Sequence, residues 1–296
     1  RDHHLAGYHS TATAGAFGAT IAASKLLELD ERTTSFAVGL VSSMASGVRA
    51  QFGTMAKPLH AGMAAANGVE AALLAQAGLV SNPDALEAEH GFADTHMVQN
   101  LNTNIALNHL GEYWMFEEVL HKYHACCHGL HAAIEALIKV REQNNLKAEN
   151  IKNISIAVAP RYLKICNIMA PKTGLEAKFS FRLSAAMVLA RRDTAVLSTF
   201  SDEACDNEEL IALRDQVSVL PDPKLSETEA FVQVQTNDDK ILNANFDINQ
   251  PQTYKIKKEK LMHKASALLG ENTAYQIWDV ISLGDPEKFK TLTQFK

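Results

Sequence analysis

The sequence predicts a mainly α protein with an α+β part. Three observations predict it. Helices rich in alanine and glycine fill the first 120 residues, alternating apolar segments appear after residue 150, and helical periodicity returns from Lys257. The expected domains are residues 1–120, helical; 121–255, α+β; and 256–296, helices again.

The first helix is expected from Ala12 to Leu29, with Ser10 or Thr11 as its N-cap. It is small and apolar on nearly every side until Lys25, which implies burial within a bundle. Asp30 caps the next helix, Glu31 to Ser46, with Phe36, Leu40, Val41 and Met44 facing inward. The segment Phe52-Gly-Thr-Met-Ala-Lys57-Pro58-Leu-His60-Ala-Gly-Met-Ala-Ala-Ala-Asn67 follows. Proline suits the first helical position, so Pro58 is expected to open a helix running to about Leu79, with Leu59, Met63, Ala66, Leu73 and Ala77 at helical spacing. Gly62, Ala64, Ala65 and Gly68 leave room for another backbone. Asn82-Pro83-Asp84 starts a turn and a short helix, Ala85 to His90, and residues 91–108 read as a polar loop. Beyond residue 120, a helix is expected from Ala132 to Glu142, a strand from Ile151 to Ala159 and a helix from Ala177 to Ala190. Two strands, Phe231 to Val234 and Ile241 to Phe246, flank the turn Asn237-Asp238-Asp239.

Composition excludes several function classes. The chain has 296 residues, 47% hydrophobic and 21% charged, as in an ordinary globular protein. Its net charge of −6 argues against a nucleic-acid surface. No apolar run is long enough for a membrane-spanning helix, and no signal peptide is read. The four cysteines, Cys126, Cys127, Cys166 and Cys205, form no CxxC pair, which points to a reduced, cytoplasmic setting. The chain opens on Arg1 and enters a helical pattern at once, so an N-terminal portion is expected outside it.

Chemistry-bearing residues stand at three helix entrances: His9, Lys57 and Lys122. A helix N-terminus offers unpaired N–H groups and a positive dipole end, so converging entrances would hold a molecule with two or three carboxylates. The alternative is three unrelated helix starts with solvated lysines. The cluster His124, Cys126, Cys127, His128 and His131 matches no zinc template, so no metal is expected; His131 also reads as a hydrogen-bonded core histidine. No GxSxG, GxGxxG or GxxxxGK[ST] motif is present, and His3-His4 is assigned nothing.

Four stretches carry a resemblance. Gly7-Tyr-His9-Ser-Thr-Ala-Thr-Ala-Gly15-Ala-Phe-Gly18, Thr54-Met-Ala-Lys57-Pro-Leu-His60-Ala-Gly62, Lys122-Tyr-His-Ala-Cys126-Cys-His-Gly-Leu-His131 and Gly174-Leu-Glu176-Ala-Lys178-Phe-Ser180 resemble, in order, motifs of the MmgE/PrpD family. That family includes 2-methylcitrate dehydratase, cis-aconitate decarboxylase and iminodisuccinate epimerase, and the match looks nearer the latter two branches. The resemblance implies an all-helical domain with an inserted α+β lid, a cofactor-free homodimer, and a small di- or tricarboxylate as substrate. It implies a lyase, a dehydratase or decarboxylase, with a dicarboxylate epimerase as the alternative. Carried over by position, His9, Lys57, Lys122 and Tyr162 would be catalytic, and His60 and His131 would bind substrate. The family's acidic "DFDDTH" stretch has no counterpart in this sequence. An inactive fragment is therefore the further alternative.

Overall fold

The computed structural model describes residues 2–96, 108–284 and 286–293. The fold is mainly α with one four-stranded mixed sheet. The chain divides into two compact units, Arg1–Met115 and Phe116–Lys296.

The first unit contains helices α1 (Asp2–Leu5), α2 (Ser10–Leu26), α3 (Glu31–Val41), α4 (Ala56–Gln76) and α5 (Phe92–Thr95). Its centre is the pairing of α2 with α4. A Cβ built on Gly68 would stand 2.4 Å from the Ala19 Cβ and 2.6 Å from the Thr20 backbone nitrogen. One built on Gly15 would stand 3.4 Å from the Ala64 Cβ. The contacts 15 with 64 and 19 with 68 advance by four on both helices, so α2 and α4 run parallel and their N-termini lie side by side. Ala16, Val41, Ala45, Ala64, Ala71 and Phe92 form the core around this contact.

Several expectations are corrected here. Both helices are apolar on nearly every side, so residue size selects the inward face. The buried stripe of α4 is His60, Ala64, Gly68, Ala71, Ala72 and Ala75, while Leu59, Met63 and Leu73 are exposed. Of the four small residues expected to leave room for another backbone, Ala64 and Gly68 do meet α2, while Gly62 faces open space and Ala65 is exposed. Helix α4 starts at Ala56, before Pro58, because the Thr54 hydroxyl accepts from the Ala56 N–H at 3.2 Å; a proline in the first turn still loses no helical bond. Helix α2 starts at Ser10, with His9 rather than Ser10 or Thr11 at the N-cap. Helix α3 is capped by Asp30 as expected but ends at Val41. Residues 85–90 form turns, and the short helix lies at Phe92–Thr95. Most of the expected polar loop, residues 97–107, lies outside the described residues.

The second unit contains α6 (His131–Gln143), β1 (Ile151–Val158), α7 (Gly174–Ala177), α8 (Phe181–Leu189), α9 (Asp202–Asp206), α10 (Glu208–Asp215), β2 (Val217–Pro221), β3 (Glu229–Thr236), β4 (Ile241–Asp247), α11 (Tyr254–Leu269), α12 (Glu271–Leu283) and α13 (Pro286–Thr293). The sheet order is β2-β1-β3-β4; β1 and β2 are parallel, the other pairs antiparallel. Ile154, Ile156 and Val158 alternate inward along β1 and pack with Ile134, Leu137 and Val140 of α6 and with Met187 of α8. The helix expected over 177–190 is broken at Ser180, whose hydroxyl accepts from the Leu183 N–H at 3.2 Å. Strand β2 was not expected. Only Val217 along it is buried, so it carries no alternation, and its terminal proline fits an edge. Helix α11 is tied to this unit by Lys260–Glu135 at 2.6 Å and His263–Asp193 at 2.8 Å.

Gly68→Ala should force α2 and α4 apart. A loss of about 1–3 kcal/mol, the usual cost of overpacking, is expected as a lowered thermal midpoint. An unchanged midpoint would mean that the helix contact is looser than described.

Candidate active site

In the first unit the parallel register places the ends of α2 and α4 together. His9 precedes α2 in extended conformation, and its N–H donates to the Gly47 carbonyl at 2.9 Å. Its side chain does not cap α2. Instead Nδ1 lies 2.9 Å from Nδ1 of His60, one turn into α4. Both rings are buried, at 8% and 7% exposure. Phe52 meets the His9 ring edge-on, with centroids 4.9 Å apart, and the Lys57 ammonium stands 4.9 Å from the same phenyl centroid. Burial lowers the His9 pKa, and His60, Lys57 and His4 lower it further, so the imidazole is neutral at neutral pH. His9, Lys57 and His60 are therefore brought together.

Nearby, His3 gains partners that sequence reasoning did not assign. Its ring stacks on Tyr8 at 4.6 Å, with Nδ1 on the His96 carbonyl at 2.9 Å and Nε2 on Thr13 Oγ1 at 2.8 Å. The only available signal was the His3-His4 pair, and its partners lie about 10 and 93 residues away.

In the second unit, Lys122 is exposed on the segment leading to α6. His131 is the first residue of α6 and is 1% exposed. It stacks on His128 at 5.1 Å and meets His124 at 4.9 Å, and its Nε2 has no hydrogen-bond partner. Burial, with His124, His128, Lys122 and Lys264 nearby, pushes its pKa down to about 2. The expectation of a hydrogen-bonded core histidine is thus half met: the ring is buried, but Nε2 is unpaired. His124 is anchored to Thr194 Oγ1 at 2.8 Å, and its Nε2 lies 3.3 Å from Glu135 at an angle outside hydrogen-bond geometry. Burial would raise the Glu135 carboxyl; the contacts from His124 and Lys260 outweigh it and hold it ionised.

Tyr162 donates its hydroxyl to the Glu227 carbonyl at 2.8 Å. Burial, then the neighbouring Glu227, pushes its pKa to about 12. The ring lies where a side chain at residue 129 would be: a Cβ on Gly129 would stand 2.4 Å from it. Lys264 and Lys178 had been given no role, yet both act with Lys122 on the buried Cys126 thiol. Burial lowers the Lys264 pKa, and repulsion from Lys122 and Lys178 adds to it. A cavity of about 430 Å³ in this unit is lined by His121, Tyr123, His131, Glu135, Gln252 and Lys257, among others. Among the described residues, no group of three or more His, Cys, Asp or Glu is arranged to hold a metal ion.

Comparison with known proteins decides the family. Residues 1–103 match the model described as the MmgE/PrpD N-terminal domain, and residues 124–276 the MmgE/PrpD C-terminal domain. The chain belongs to the MmgE/PrpD family. Curated MmgE/PrpD relatives include a cis-aconitate decarboxylase-like protein, oryM, of Aspergillus oryzae, 32% identical over 52% of this chain and 34% of that protein. The cis-aconitate decarboxylase of Homo sapiens is 29% identical over 62% of this chain and 38% of its own length. That of Aspergillus terreus is 24% identical over 90% and 59%. The chain thus spans between about a third and three fifths of the length of these relatives.

A pH prediction follows from His131. Its folded pKa, about 2, lies below the ordinary 6.5, so between those values the unfolded chain binds a proton that the native one refuses. Stability should fall as pH drops from 6.5, by about 2 kcal/mol at pH 5 from this residue. Urea midpoints measured from pH 7 to 5 should decline less steeply in His131→Phe; an equal decline would remove His131 as the cause.

Proposed function

We propose that the chain acts as an MmgE/PrpD-type lyase on a small di- or tricarboxylate of the citrate or aconitate kind, by dehydration or decarboxylation. The observation that carries the reading is the buried, neutral His9 imidazole beside the Lys57 cation, at the adjoining N-termini of two parallel helices. Elimination next to a carboxylate builds negative charge on the substrate. Fixed cations and helix N-termini stabilise such charge better than reorienting water does. Lys57 and Lys122 hold carboxylates in this reading, and His9 moves the proton, a role commonly worth about 10²–10⁴-fold. Tyr162 is the second proton donor, which requires its bond to the Glu227 carbonyl to open. His131 is assigned to substrate binding through its unpaired Nε2. Relatives named cis-aconitate decarboxylase support the decarboxylase branch.

In decarboxylation the bond from carbon to carboxylate breaks, CO2 leaves, and the electron pair left on carbon takes up a proton. In dehydration a proton and hydroxide leave adjacent carbons. A cytoplasmic location belongs to the same reading, supported by four free cysteines. So does a homodimer, for which light scattering should give twice the chain mass.

Proton NMR in D2O with carboxyl-labelled cis-aconitate tests the reaction. Release of labelled CO2, or addition of water with loss of the alkene (the dehydration run in reverse), is expected; deuterium exchange with an intact skeleton would make the protein an epimerase instead. Lys57→Ala should keep its circular dichroism spectrum and lose about 100-fold or more in kcat. Melting of the fold, or near-normal turnover, would remove Lys57 from the site.

A further inference from the structure

We infer that His60 is a positioning residue that accepts a hydrogen bond from His9 Nδ1–H and so keeps His9 Nε2 unprotonated, as the base. The inference rests on the role proposed for His9. It changes the part given to His60, from holding substrate to orienting the residue that meets it.

The argument begins with two buried rings. Their Nδ1 atoms are 2.9 Å apart, a hydrogen-bond distance. One proton fits between them. Two would repel, and two bare lone pairs would repel as well. His9 is held uncharged by burial first, and the groups acting on it are His60 and Lys57 from α4 and His4 from α1, none of them acidic. Arg49 adds a further cation, bonded to the His4 carbonyl at 2.9 Å and standing 5.7 Å from the Phe52 ring centroid. The pair therefore has two arrangements: His60 donates, or His9 donates.

Chemistry distinguishes them. If His60 donates, the single proton of His9 sits on Nε2. That nitrogen then has no lone pair to accept a proton, and a neutral imidazole gives one up only as a very weak acid. If His9 donates, its Nε2 lone pair is bare. A proton taken from substrate makes an imidazolium whose Nδ1–H already points at the His60 lone pair, and the same Nε2 can return the proton. Only this second arrangement permits proton transfer in both directions. Which ring nitrogen carries the proton is set by the bond that the other one makes.

The surrounding chain holds the geometry. Gly47 accepts the His9 N–H, and a Cβ there would stand 3.4 Å from His60 Nδ1 and 2.4 Å from the Ala12 Cβ. A side chain at 47 would press on the His60 ring and on α2 together.

Nitrogen-15 NMR of histidine-labelled protein reads the tautomers without substrate. In the unmodified protein His9 should carry its proton on Nδ1; finding it on Nε2 overturns the inference with no variant needed. His60→Asn keeps an acceptor near the position of Nδ1 and should preserve that tautomer. His60→Phe keeps the ring shape, removes the acceptor, and should move the proton to Nε2 while kcat/KM falls about 100-fold. An unmoved His9 tautomer in a folded His60→Phe variant also overturns it. The predicted tautomer without turnover of any carboxylate would leave the pair standing and remove the lyase reading; turnover with the opposite tautomer would do the reverse.

Discussion

The first unit depends on a steric constraint: α2 and α4 must come close enough for backbone to meet backbone. Ala19 against Gly68 and Gly15 against Ala64 permit it and fix the register. Large apolar residues could have packed at several offsets, but an approach so close that a Cβ on Gly68 would stand 2.4 Å from the Ala19 Cβ admits few. Once that register is set, the position of His60 follows. It lies one turn before Ala64 on α4, as His9 lies just ahead of α2, and parallel helices bring those two places together. The imidazole pair is thus a consequence of which residues are small.

Parallel packing has an electrostatic result as well. Two helix N-termini side by side repel each other and disfavour cations between them. Lys57 in the first turn of α4 adds to the repulsion, as does His9 if protonated. Such a place is costly when empty of negative charge and is relieved by an anion. The second unit repeats the theme with different parts: Lys122, Lys178 and Lys264 act on a buried thiol, and Lys264 loses proton affinity through burial and repulsion from Lys122 and Lys178. A chain with net charge −6 thus brings cations close together in each unit.

How much of this was legible in the sequence follows from the kind of force involved. Asp30 as a cap and the alternation of Ile154, Ile156 and Val158 are local signals, and both elements start where expected. The motifs around His9, Lys57 and Lys122 identified the family, and the structure joins His9, Lys57 and His60. The inward face of α4 was not legible from hydrophobicity, because Leu59, Met63 and Leu73 outrank the small residues that are buried. Helix starts at Ser10 and Ala56 lie two residues before the expected Ala12 and Pro58, since an extended histidine and a threonine hydroxyl decided them. Lys264 was out of reach: it lies more than 130 positions from Lys122, and no local pattern marks it.

The identity of the partner to His9 also follows from charge. In many proton-transfer sites a carboxylate orients the histidine and stabilises the imidazolium that forms. A carboxylate there would raise the His9 pKa and add negative charge where the proposed polycarboxylate substrate would bind. The His60 imidazole meets His9 through Nδ1 without adding a negative charge. In the reading proposed above, His9 is unprotonated before substrate arrives, and a polyanion bound next to it would raise its proton affinity only then. Under that proposal, binding and activation of the base would be the same electrostatic event, and burial, then His60 and Lys57, keeps the proton affinity of unliganded His9 low.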